Sequence, residues 1–367
     1  MRIKLKQVLF PQPKSKIKAG DGKAEGKFKF FTSSPVQSKF LDEANYDKPS
    51  LIFGTGGNAS VHFCDEPFST STDCLVMYGR SKTELETICN YLKSNIGILE
   101  NGFKGAGLKH ISKDYILAIE IDLPSEDIQL EFLQKNRIID GLIEAKQAQL
   151  HLSEGLVKSR FIEMFVTSKS VGDWVQTTIA DVSIDMRTGP FGSALHHDEF
   201  VESGVFVLGI DNAVENKFSY NRMRYITEEK YRQLKRYTVY PGDVIITIMG
   251  TVGRSAVIPK DMPKAINTKH LACITPNTAL IDSMFLSSAF QMHPSIRMQL
   301  QNQCKGAIMD GLNLTIIKAL RFALPPLDLQ QQFAAFVEQT DKSKFEIQQS
   351  LEKLETLKKA LMQKYFG

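Results

Sequence analysis

A heptad pattern of apolar positions runs through residues 333–365, a segment without proline or glycine. The positions on one helical face are Phe333, Val337, Thr340, Lys344, Ile347, Leu351, Leu354, Lys358, Leu361 and Tyr365. Seven of these ten side chains are apolar or aromatic, and the flanking positions are rich in Glu, Gln and Lys. This pattern predicts a long helix that pairs with another helix as a coiled coil, with polar interruptions that set the register.

A second stretch, residues 132–164, carries a rougher version of the same pattern. Its apolar positions are Phe132, Ile139, Ile143, Leu150, Val157 and Met164. Asn136, Lys146, Ser153 and Arg160 occupy the polar positions of the same face. Gly141 and Gly155 each cost about 1 kcal/mol in a helix interior. The pattern therefore predicts a second long helix that is less regular than the first.

The two helical segments belong to an internal repeat. LPSEDIQLEF at 123–132 and LPPLDLQQQF at 324–333 match at a constant offset of 201 residues, and scattered identities continue on both sides. Pro124 and Pro325 predict helix starts, where a missing N–H costs little. The repeat indicates an internal duplication in which each helix follows one globular segment.

Two related helices in one chain can pair antiparallel around a pseudo-twofold axis and hold two globular domains at opposite ends. The alternative is that each helix packs on its own domain as ordinary core. The residues predicted to pair the helices are Phe132, Ile139, Ile143, Leu150, Phe333, Val337, Ile347, Leu351, Leu354 and Leu361.

The globular segments both show a strand, a Gly-rich turn and a second strand. In the first, residues 49–53 run into Gly54–Asn58 and then into 59–63; in the second, 241–248 run into a turn at 250–254 and then into 255–259. This pattern predicts two β-hairpins, in each of which the backbone of the Gly-rich turn lies close to another group. The expected fold is α+β, with two globular mixed α/β domains and two long helices that pair as an antiparallel coiled coil.

Composition limits the class of protein. The chain has 367 residues, which suggests two or three domains, and 43% of them are hydrophobic. Mean hydropathy is −0.17, and no apolar run is long enough to span a bilayer. Five cysteines without a CxxC pair argue against a disulfide framework or a zinc site. We expect a soluble, cytoplasmic protein that does not contact membranes.

The net charge of +4 is unevenly distributed. Residues 1–40 hold ten basic and two acidic residues, and residues 217–237 hold seven basic and two acidic residues interleaved with aromatic ones. Such clusters favour an anionic partner, most simply nucleic acid. The alternatives are a solvated basic arm at 1–40 and, at 217–237, an amphipathic surface helix whose tyrosines belong to the core.

Catalytic motifs are missing from the sequence. Gly54, Gly56 and Ala59 fit G-x-G-x-x-A, but a strand-like run and Pro67 follow where a dinucleotide site needs a helix. The Pro325-Pro326 pair lacks the polar and aromatic neighbours of an amino-methylase motif. Neighbouring residues on a strand face opposite sides, which argues against a metal site at His196-His197. We expect no catalytic, cofactor or metal site in this chain.

The repeated segments resemble a known family. LPPLDLQQQFAAFVEQTDKSKFEIQQSLEKLETLKKALMQKYF is similar to the C-terminal conserved region of type I restriction–modification specificity subunits, and LPSEDIQLEFLQKNRIIDGLIEAKQAQLHLSEGLVKSRFIEMF to their central conserved region. YPGDVIITIMGTVGRSAVIP and DMRTGPFGSALHHDEF resemble one target-recognition domain, and YDKPSLIFGTGGNASVHF a second, divergent one. Two features depart from the family pattern: LPSED lacks the second proline, and the first long helix contains two glycines.

The resemblance implies a division into two target-recognition domains, 1–122 and 167–322, and two conserved helical spacers, 123–166 and 323–367. It implies a non-catalytic subunit that reads a bipartite double-stranded DNA target in complex with two adenine-N6 methylase and two ATP-dependent restriction subunits. S-adenosylmethionine, ATP and Mg²⁺ would then belong to those partners. The paired helices would set the gap between half-sites and dock the methylases.

Basic residues of 1–40 and 217–237, together with Arg254, Lys260, Lys264 and Lys269, are the predicted phosphate contacts. Base contacts are expected in the 185–192 loop, the 222–224 segment and the 55–58 loop. The resulting DNA-binding set is Lys14, Lys16, Lys18, Thr55, Asn58, Arg187, Thr188, Arg222, Arg224, Arg254, Lys264 and Lys269. Two other classes of function stay open: a coiled-coil scaffold that does not bind DNA, and an enzyme that binds a nucleotide through the Gly-rich loops.

Overall fold

A computed structural model describes residues 2–105, 107, 109–191, 194–304 and 312–366. In this part of the chain the α-helices are α1 Lys82–Ser94, α2 Gly97–Glu100, α3 Lys113–Ala118, α4 Glu126–Phe165, α5 Glu228–Leu234, α6 Ser283–Met292, α7 Pro294–Cys304, α8 Leu314–Ala319 and α9 Leu327–Phe366. The strands are β1 Arg2–Lys4, β2 Phe10–Pro11, β3 Phe28–Phe31, β4 Lys39–Leu41, β5 Ser50–Gly54, β6 Ser60–Cys64, β7 Phe68–Thr70, β8 Cys74–Tyr78, β9 Phe103–Lys104, β10 His110–Ile111, β11 Glu120–Asp122, β12 Val175–Thr178, β13 Ser183–Thr188, β14 Val205–Leu208, β15 Tyr225–Ile226, β16 Thr238–Val239, β17 Val244–Thr247, β18 Ser255–Val257, β19 Ala265–Asn267, β20 Leu271–Pro276 and β21 Arg321–Leu324.

The chain divides into two compact units. The first comprises Met1–Ala148 and Ile347–Gly367, and the second comprises Gln149–Glu346. Each unit contains one sheet-rich domain and about half of each long helix, α4 and α9. The two helices lie within the predicted segments 123–166 and 323–367, and each contributes to both units.

The sheet-rich domains share one strand arrangement, except that the second has an additional strand, β16. The first unit has a sheet of order β2-β8-β5-β6 and another of order β4-β3-β7, in which β3 and β7 are parallel. The second has a sheet of order β13-β20-β17-β18 and another of order β15-β14-β19-β16, in which β14 and β19 are parallel. The two predicted hairpins are confirmed as β5/β6 and β17/β18. The duplication therefore includes the globular domains.

The 201-residue offset reappears in the structure. Helices α3 and α8 begin and end 201 residues apart, and so do α4 and α9. Their caps correspond as well, because the side chains of Ser112 and Asn313 accept hydrogen bonds from the backbone N–H of Tyr115 and Ile316. A side-chain acceptor at this position satisfies a backbone donor that the helix itself leaves unpaired.

The repeated sequence around 123–132 and 324–333 builds the start of each long helix. Gln129 Nε2 donates to the Pro124 carbonyl at 2.8 Å, and Gln330 Nε2 donates to the Pro325 carbonyl at 2.8 Å. Both glutamines are buried. The proline sets the turn, and the glutamine amide bonds the carbonyl that precedes the first helical turn. This shared hydrogen bond gives a physical reason why Pro and Gln recur at the same spacing.

In the first unit, the beginning of α4 packs against the end of α9. Phe132 is fully buried, and its ring centroid lies 5.6 Å from that of Tyr365 and 5.1 Å from that of Phe366. Further along, Asp140 forms an ion pair with Lys358 at 2.5 Å. Lys358 is one of the two lysines of the predicted seam, so its charge is paired across the helices.

In the second unit, the end of α4 packs against the beginning of α9. The ring centroids of Phe161 and Phe165 each lie 5.4 Å from that of Phe333. These three rings join Phe285 in the largest hydrophobic core of this unit. In both units an early segment of one helix meets a late segment of the other, so the pairing is antiparallel, as predicted.

The predicted seam is the least exposed face of both helices. Phe132, Ile139, Phe333, Val337, Leu351 and Leu361 are buried, and Ile143, Leu150, Ile347 and Leu354 are half-buried. Gly141 and Gly155 do not interrupt α4, which continues for 40 residues. The helix is therefore more regular than its sequence indicated.

Two features are absent from the described part of the chain. No helix among these residues is long and apolar enough to cross a membrane. No group of three or more His, Cys, Asp or Glu side chains there is arranged to hold a metal ion.

Candidate nucleic-acid interface

Three loops of the second domain come together at one end of its sheets. They follow β14 and β19 and connect β17 to β18; we call residues 209–224, 248–254 and 268–270 the second loop cluster. The parallel pairing of β14 and β19 brings their carboxyl ends to the same edge, where the Thr268 N–H donates to the Leu208 carbonyl at 2.9 Å. The Ile248 N–H donates to the His270 carbonyl at 2.9 Å. Three segments distant in sequence thus form one surface.

The first domain builds a topologically equivalent surface. Residues 32–38 follow β3, 71–73 follow β7, and 55–59 connect β5 to β6; these form the first loop cluster. Asp73 is its centre, since its carbonyl accepts from Ser33 Oγ at 2.6 Å, from Thr55 Oγ1 at 2.9 Å and from the Thr55 N–H at 2.9 Å. His110 adds a side chain, with Nδ1 3.1 Å from the Thr55 carbonyl.

The two clusters differ in charge. The second contains four of the predicted DNA-binding residues, all of them cationic: Arg222, Arg224, Arg254 and Lys269. The first contains no lysine or arginine, and it offers the predicted contacts Thr55 and Asn58 among serines and glycines. Asn58 is exposed, whereas Thr55 is half-buried and engaged by Asp73.

Basic residues border the first loop cluster. Lys14, Lys16 and Lys18 are exposed on the segment between β2 and β3. The Thr72 N–H donates to the Ile17 carbonyl at 2.8 Å, which joins this segment to the cluster. The structure therefore brings these three predicted phosphate contacts beside the predicted base contacts of the same domain.

The arginines of the second loop cluster are not equivalent. Arg224 forms an ion pair with Asp211, so its charge is largely compensated within the domain. Arg222, Arg254 and Lys269 are exposed and have no ion pair among the described residues. Burial lowers the pKa of His270 below its usual value, and the charges of Lys269 and Arg224 lower it further. At neutral pH this imidazole is uncharged and offers one donor and one acceptor.

Hydrogen bonds to the Thr247 side chain fix the conformation of the β17–β18 loop. Thr247, fully buried at the end of β17, donates through Oγ1 to the Thr251 carbonyl and accepts from the Arg254 N–H at 2.9 Å. Gly250 and Gly253 take left-handed φ angles of 73° and 82° that glycine adopts without strain. The loop is therefore pre-organised, with Arg254 at its end.

The surroundings of Arg187 differ from those that the sequence indicated. The predicted 185–192 loop is in large part strand, because β13 spans Ser183–Thr188 and pairs antiparallel with β20. Thr188 ends this strand and is half-buried. Gly192 lies outside the described residues.

The Arg187 guanidinium is largely buried, and all of its donors are engaged. Its side chain is 12% exposed. Nε and Nη2 donate to the Thr238 carbonyl at 2.9 and 2.6 Å. Nη1 donates to Asp185 at 2.7 Å and to Thr275 at 3.0 Å, and Nη2 donates to Asp243 at 2.5 Å. All five N–H donors are used, so this geometry argues against a role in reading a base and makes Arg187 a structural residue.

Lys264 also lies apart from the cluster. It precedes β19, whereas the loops of the cluster follow β14 and β19. Its ammonium pairs with Glu228 at 2.7 Å and lies 5.0 Å from the centre of the Tyr231 ring. The structure does not bring this predicted contact together with the other cations.

Sequence reasoning missed the polar residues that support these loops, chiefly Asn212, Thr247 and Ser33. Ser33 bonds the Asp73 carbonyl, which the parallel pair β3–β7 brings close, whereas Asn212 and Thr247 bond residues of their own loops. A parallel pair has no hairpin signature in the sequence. The only signal in the sequence was indirect: Gly-rich turns beside clusters of Ser, Thr and Asn.

Comparison with known proteins assigns the family. The model of the type I restriction modification DNA specificity domain matches residues 2–151 and 173–359. The chain belongs to this family, which confirms the resemblance drawn from its repeated helical segments.

Known relatives are consistent with this assignment. The specificity subunit of the type I restriction enzyme EcoBI from Escherichia coli is 24% identical over 348 residues, covering 86% of this chain and 72% of that protein. The specificity subunit of MjaVIII from Methanocaldococcus jannaschii is 22% identical over 350 residues, covering 89% of this chain and 81% of that protein. The crystal structure of a type I S subunit from M. genitalium has a TM-score of 0.65 at 15% identity, covering 100% of this chain and 96% of that one. This last similarity confirms the predicted fold class.

Proposed function

We propose that this chain reads a bipartite DNA target, with one half-site contacted by the first loop cluster and the other by the second. The observation that carries the proposal is the duplicated framework with divergent loops: the same strand order and helix caps recur, while the clusters differ in sequence, length and charge. A protein with two related recognition domains suits a DNA target made of two half-sites.

Base contacts are proposed where side-chain donors are exposed and the backbone is constrained. In the second cluster these are Arg222, Arg254 and Lys269, and in the first Asn58. Arginine and lysine suit guanine, and asparagine suits adenine, in the major groove. Lys14, Lys16 and Lys18 are proposed to contact phosphates, which position a protein without reading sequence.

The paired helices α4 and α9 are proposed to set the distance between half-sites and to dock two methylase subunits. Long helices with a buried seam are suited to fixing a separation, because their length is set by a constant rise per residue. Several large apolar side chains on the outer faces of these helices are exposed, among them Ile138, Leu152 and Leu357. An exposed apolar stripe is typical of a surface that another protein covers.

Catalysis is proposed to reside in partner subunits: adenine-N6 methylation in the methylases, and ATP-dependent cleavage in two restriction subunits. S-adenosylmethionine, ATP and Mg²⁺ would bind there. The chemistry assigned to this chain is recognition alone.

A methylation map tests the proposal. This chain is expressed with its methylase partner subunit in a host without N6-methyladenine, and the DNA is sequenced by a modification-sensitive method. We expect a bipartite motif with a fixed gap that appears only when both proteins are present. Associated proteins that leave no motif would favour a scaffold that does not recognise DNA, and a continuous motif would refute the two-half arrangement.

A further inference from the structure

Arg222 has an unusual backbone conformation in the second loop cluster. Its φ angle is +51°, and among the described residues only Asn216 is another non-glycine residue with positive φ. Left-handed backbone costs free energy for arginine, whereas asparagine and glycine tolerate it better. A strained residue persists only when its surroundings hold it, so the contacts around Arg222 bear on its role.

Asn212 holds the loop that carries Arg222. This residue is fully buried, and its Oδ1 accepts from the Gly209 N–H at 2.8 Å. Its Nδ2 donates to the Ser219 carbonyl at 2.7 Å and to the Asn221 carbonyl at 3.2 Å. One buried amide thus joins the start of the loop to the residue directly before Arg222.

Arg222 differs from its neighbour Arg224 in its free donors. The Arg224 guanidinium is engaged by Asp211, whereas the Arg222 side chain is exposed and has no hydrogen bond or ion pair among the described residues. Arg222 therefore combines a fixed backbone with a free planar fork of donors. This combination matches the two acceptors, O6 and N7, that guanine presents in the major groove.

We propose that Arg222 is a specificity-determining residue that reads a guanine in the half-site of the second domain, and that Asn212 is its positioning residue. The inference rests on the proposed function, since it requires that the second loop cluster contacts DNA. Beyond the proposed function, the inference names the base that is read, the residue that reads it and the buried amide that positions this residue.

Methylation maps of variants test the assignment in the complex with the methylase subunit. Arg222→Lys keeps the charge and loses the two-donor fork; Arg222→Gly also relieves the left-handed strain, so the domain should melt no lower than the unchanged protein. For Arg222→Gly we expect one G·C position in one half-site to become degenerate, with a loss of discrimination of roughly 5- to 150-fold, and for Arg222→Lys, whose ammonium can still donate to guanine, a smaller loss at the same position. The other half-site should not change.

Arg321→Lys is the matched control, because Arg321 is exposed on β21, outside the cluster and outside the predicted DNA contacts. It should leave the motif unchanged. An intact motif in both Arg222 variants, or degeneracy at a position other than G·C, would overturn the assignment. If the unchanged complex produced no motif at all, the proposed function would fail first and this inference with it.

Asn212→Asp tests the positioning role. The carboxylate keeps the acceptor for the Gly209 N–H and loses both donors to the loop. We expect degeneracy at the same base pair as for Arg222→Gly, and no further loss at that pair in the double variant. A purely structural role would instead lower methylation across the whole motif together with the melting temperature, which would contradict the assignment.

Discussion

The two loop clusters occupy equivalent places in two domains of closely similar topology, yet one is cationic and the other is built mainly from small polar residues. The second displays the exposed cations Arg222, Arg254 and Lys269, whereas the first displays Asn58 and small hydroxyl residues, and its cations Lys14, Lys16 and Lys18 lie on an adjoining segment. The strands and helix caps beneath them correspond closely. The comparison shows that the framework constrains sequence through packing and hydrogen bonding, while the loops that it supports are free to differ.

Val36 adds to the contrast. It is 66% exposed in the loop that follows β3, where the second domain has its basic segment after β14. An exposed apolar side chain among Ser and Asn suits contact with a thymine methyl group. We therefore expect the half-site of the first domain to be richer in A·T pairs than that of the second.

The framework should respond equally in both units. Phe132 and Phe333, 201 residues apart, are fully buried at the helix seam. Phe132→Ala and Phe333→Ala should each reduce the free energy of unfolding by about 3–5 kcal/mol, since each leaves a cavity. Chemical denaturation monitored by circular dichroism measures the losses. A large loss for one variant and almost none for the other would break the equivalence of the two seams.

Loss of the ion pair between Arg187 and Asp243 should destabilise the second domain and leave the first unchanged. Asp243 is buried, and it accepts from Arg187 at 2.5 Å and from Thr275 at 2.8 Å. Asp243→Ala leaves the guanidinium without its buried partner, which should cost the second domain about 3 kcal/mol.

Thermal melting and limited proteolysis can locate that loss, with Arg232→Ala as an exposed control of small effect. The unfolded fragment should come from the second domain alone. If Asp243→Ala were as stable as the unchanged chain and altered only one half-site of the motif, the result would instead support the base-reading role predicted for Arg187.

Substitutions of exposed loop residues should each affect only one half-site. Asn58→Ala should weaken discrimination only in the half-site of the first domain, and Arg254→Ala only in that of the second, each by about 1–3 kcal/mol per base pair read. Competition binding with duplexes altered in one half-site at a time measures both. A single variant that affected both half-sites would show that the clusters do not act separately.

The border lysines should act without regard to sequence. Replacing Lys14, Lys16 and Lys18 by glutamine removes up to three phosphate contacts, and the slope of log K against log salt should fall by about 0.9 for each phosphate no longer neutralised. Titrations at several salt concentrations, with specific and nonspecific duplexes, provide the measurement. Equal affinity and an unchanged slope would mean that this border does not meet DNA.

The smallest effect is expected in α4. Apart from the adjacent residues and the backbone of α4 itself, no atom lies within 4 Å of a methyl group added at Gly141 or Gly155. Replacing either by alanine should stabilise the helix by up to about 1 kcal/mol, because glycine loses more backbone entropy in a helix. Denaturant titration resolves this gain; a loss of stability would indicate that α4 needs the flexibility at that position.

Much of the framework was readable in the sequence for a physical reason. The apolar positions at 132–164 and 333–365 recur with the helical period, and the hairpins at β5/β6 and β17/β18 join strands that are close in sequence. Local periodicity and short turns are properties of contiguous residues. The seam side chains, the antiparallel pairing and the duplication could therefore be predicted from the order of residues alone.

The site was only partly readable. Lys16 and Arg222 were predicted as DNA contacts from the local excess of basic residues, and both side chains are exposed. The geometry argues against the role predicted for Arg187, because no neighbouring residue in the sequence indicates the buried carboxylate of Asp243, 56 residues later.

The sequence by itself determined the repeat, the two long helices with their seam and the absence of familiar catalytic motifs. Tertiary structure alone decided which arginines are free. Arg187 and Arg222 are the same residue type, and both lie beside turn-forming residues. One is saturated by groups that long-range strand pairing brings to it, and the other is held out on a loop by the buried amide of Asn212. Whether a donor is free depends on which distant segments surround it, and that is settled only when the sheets form.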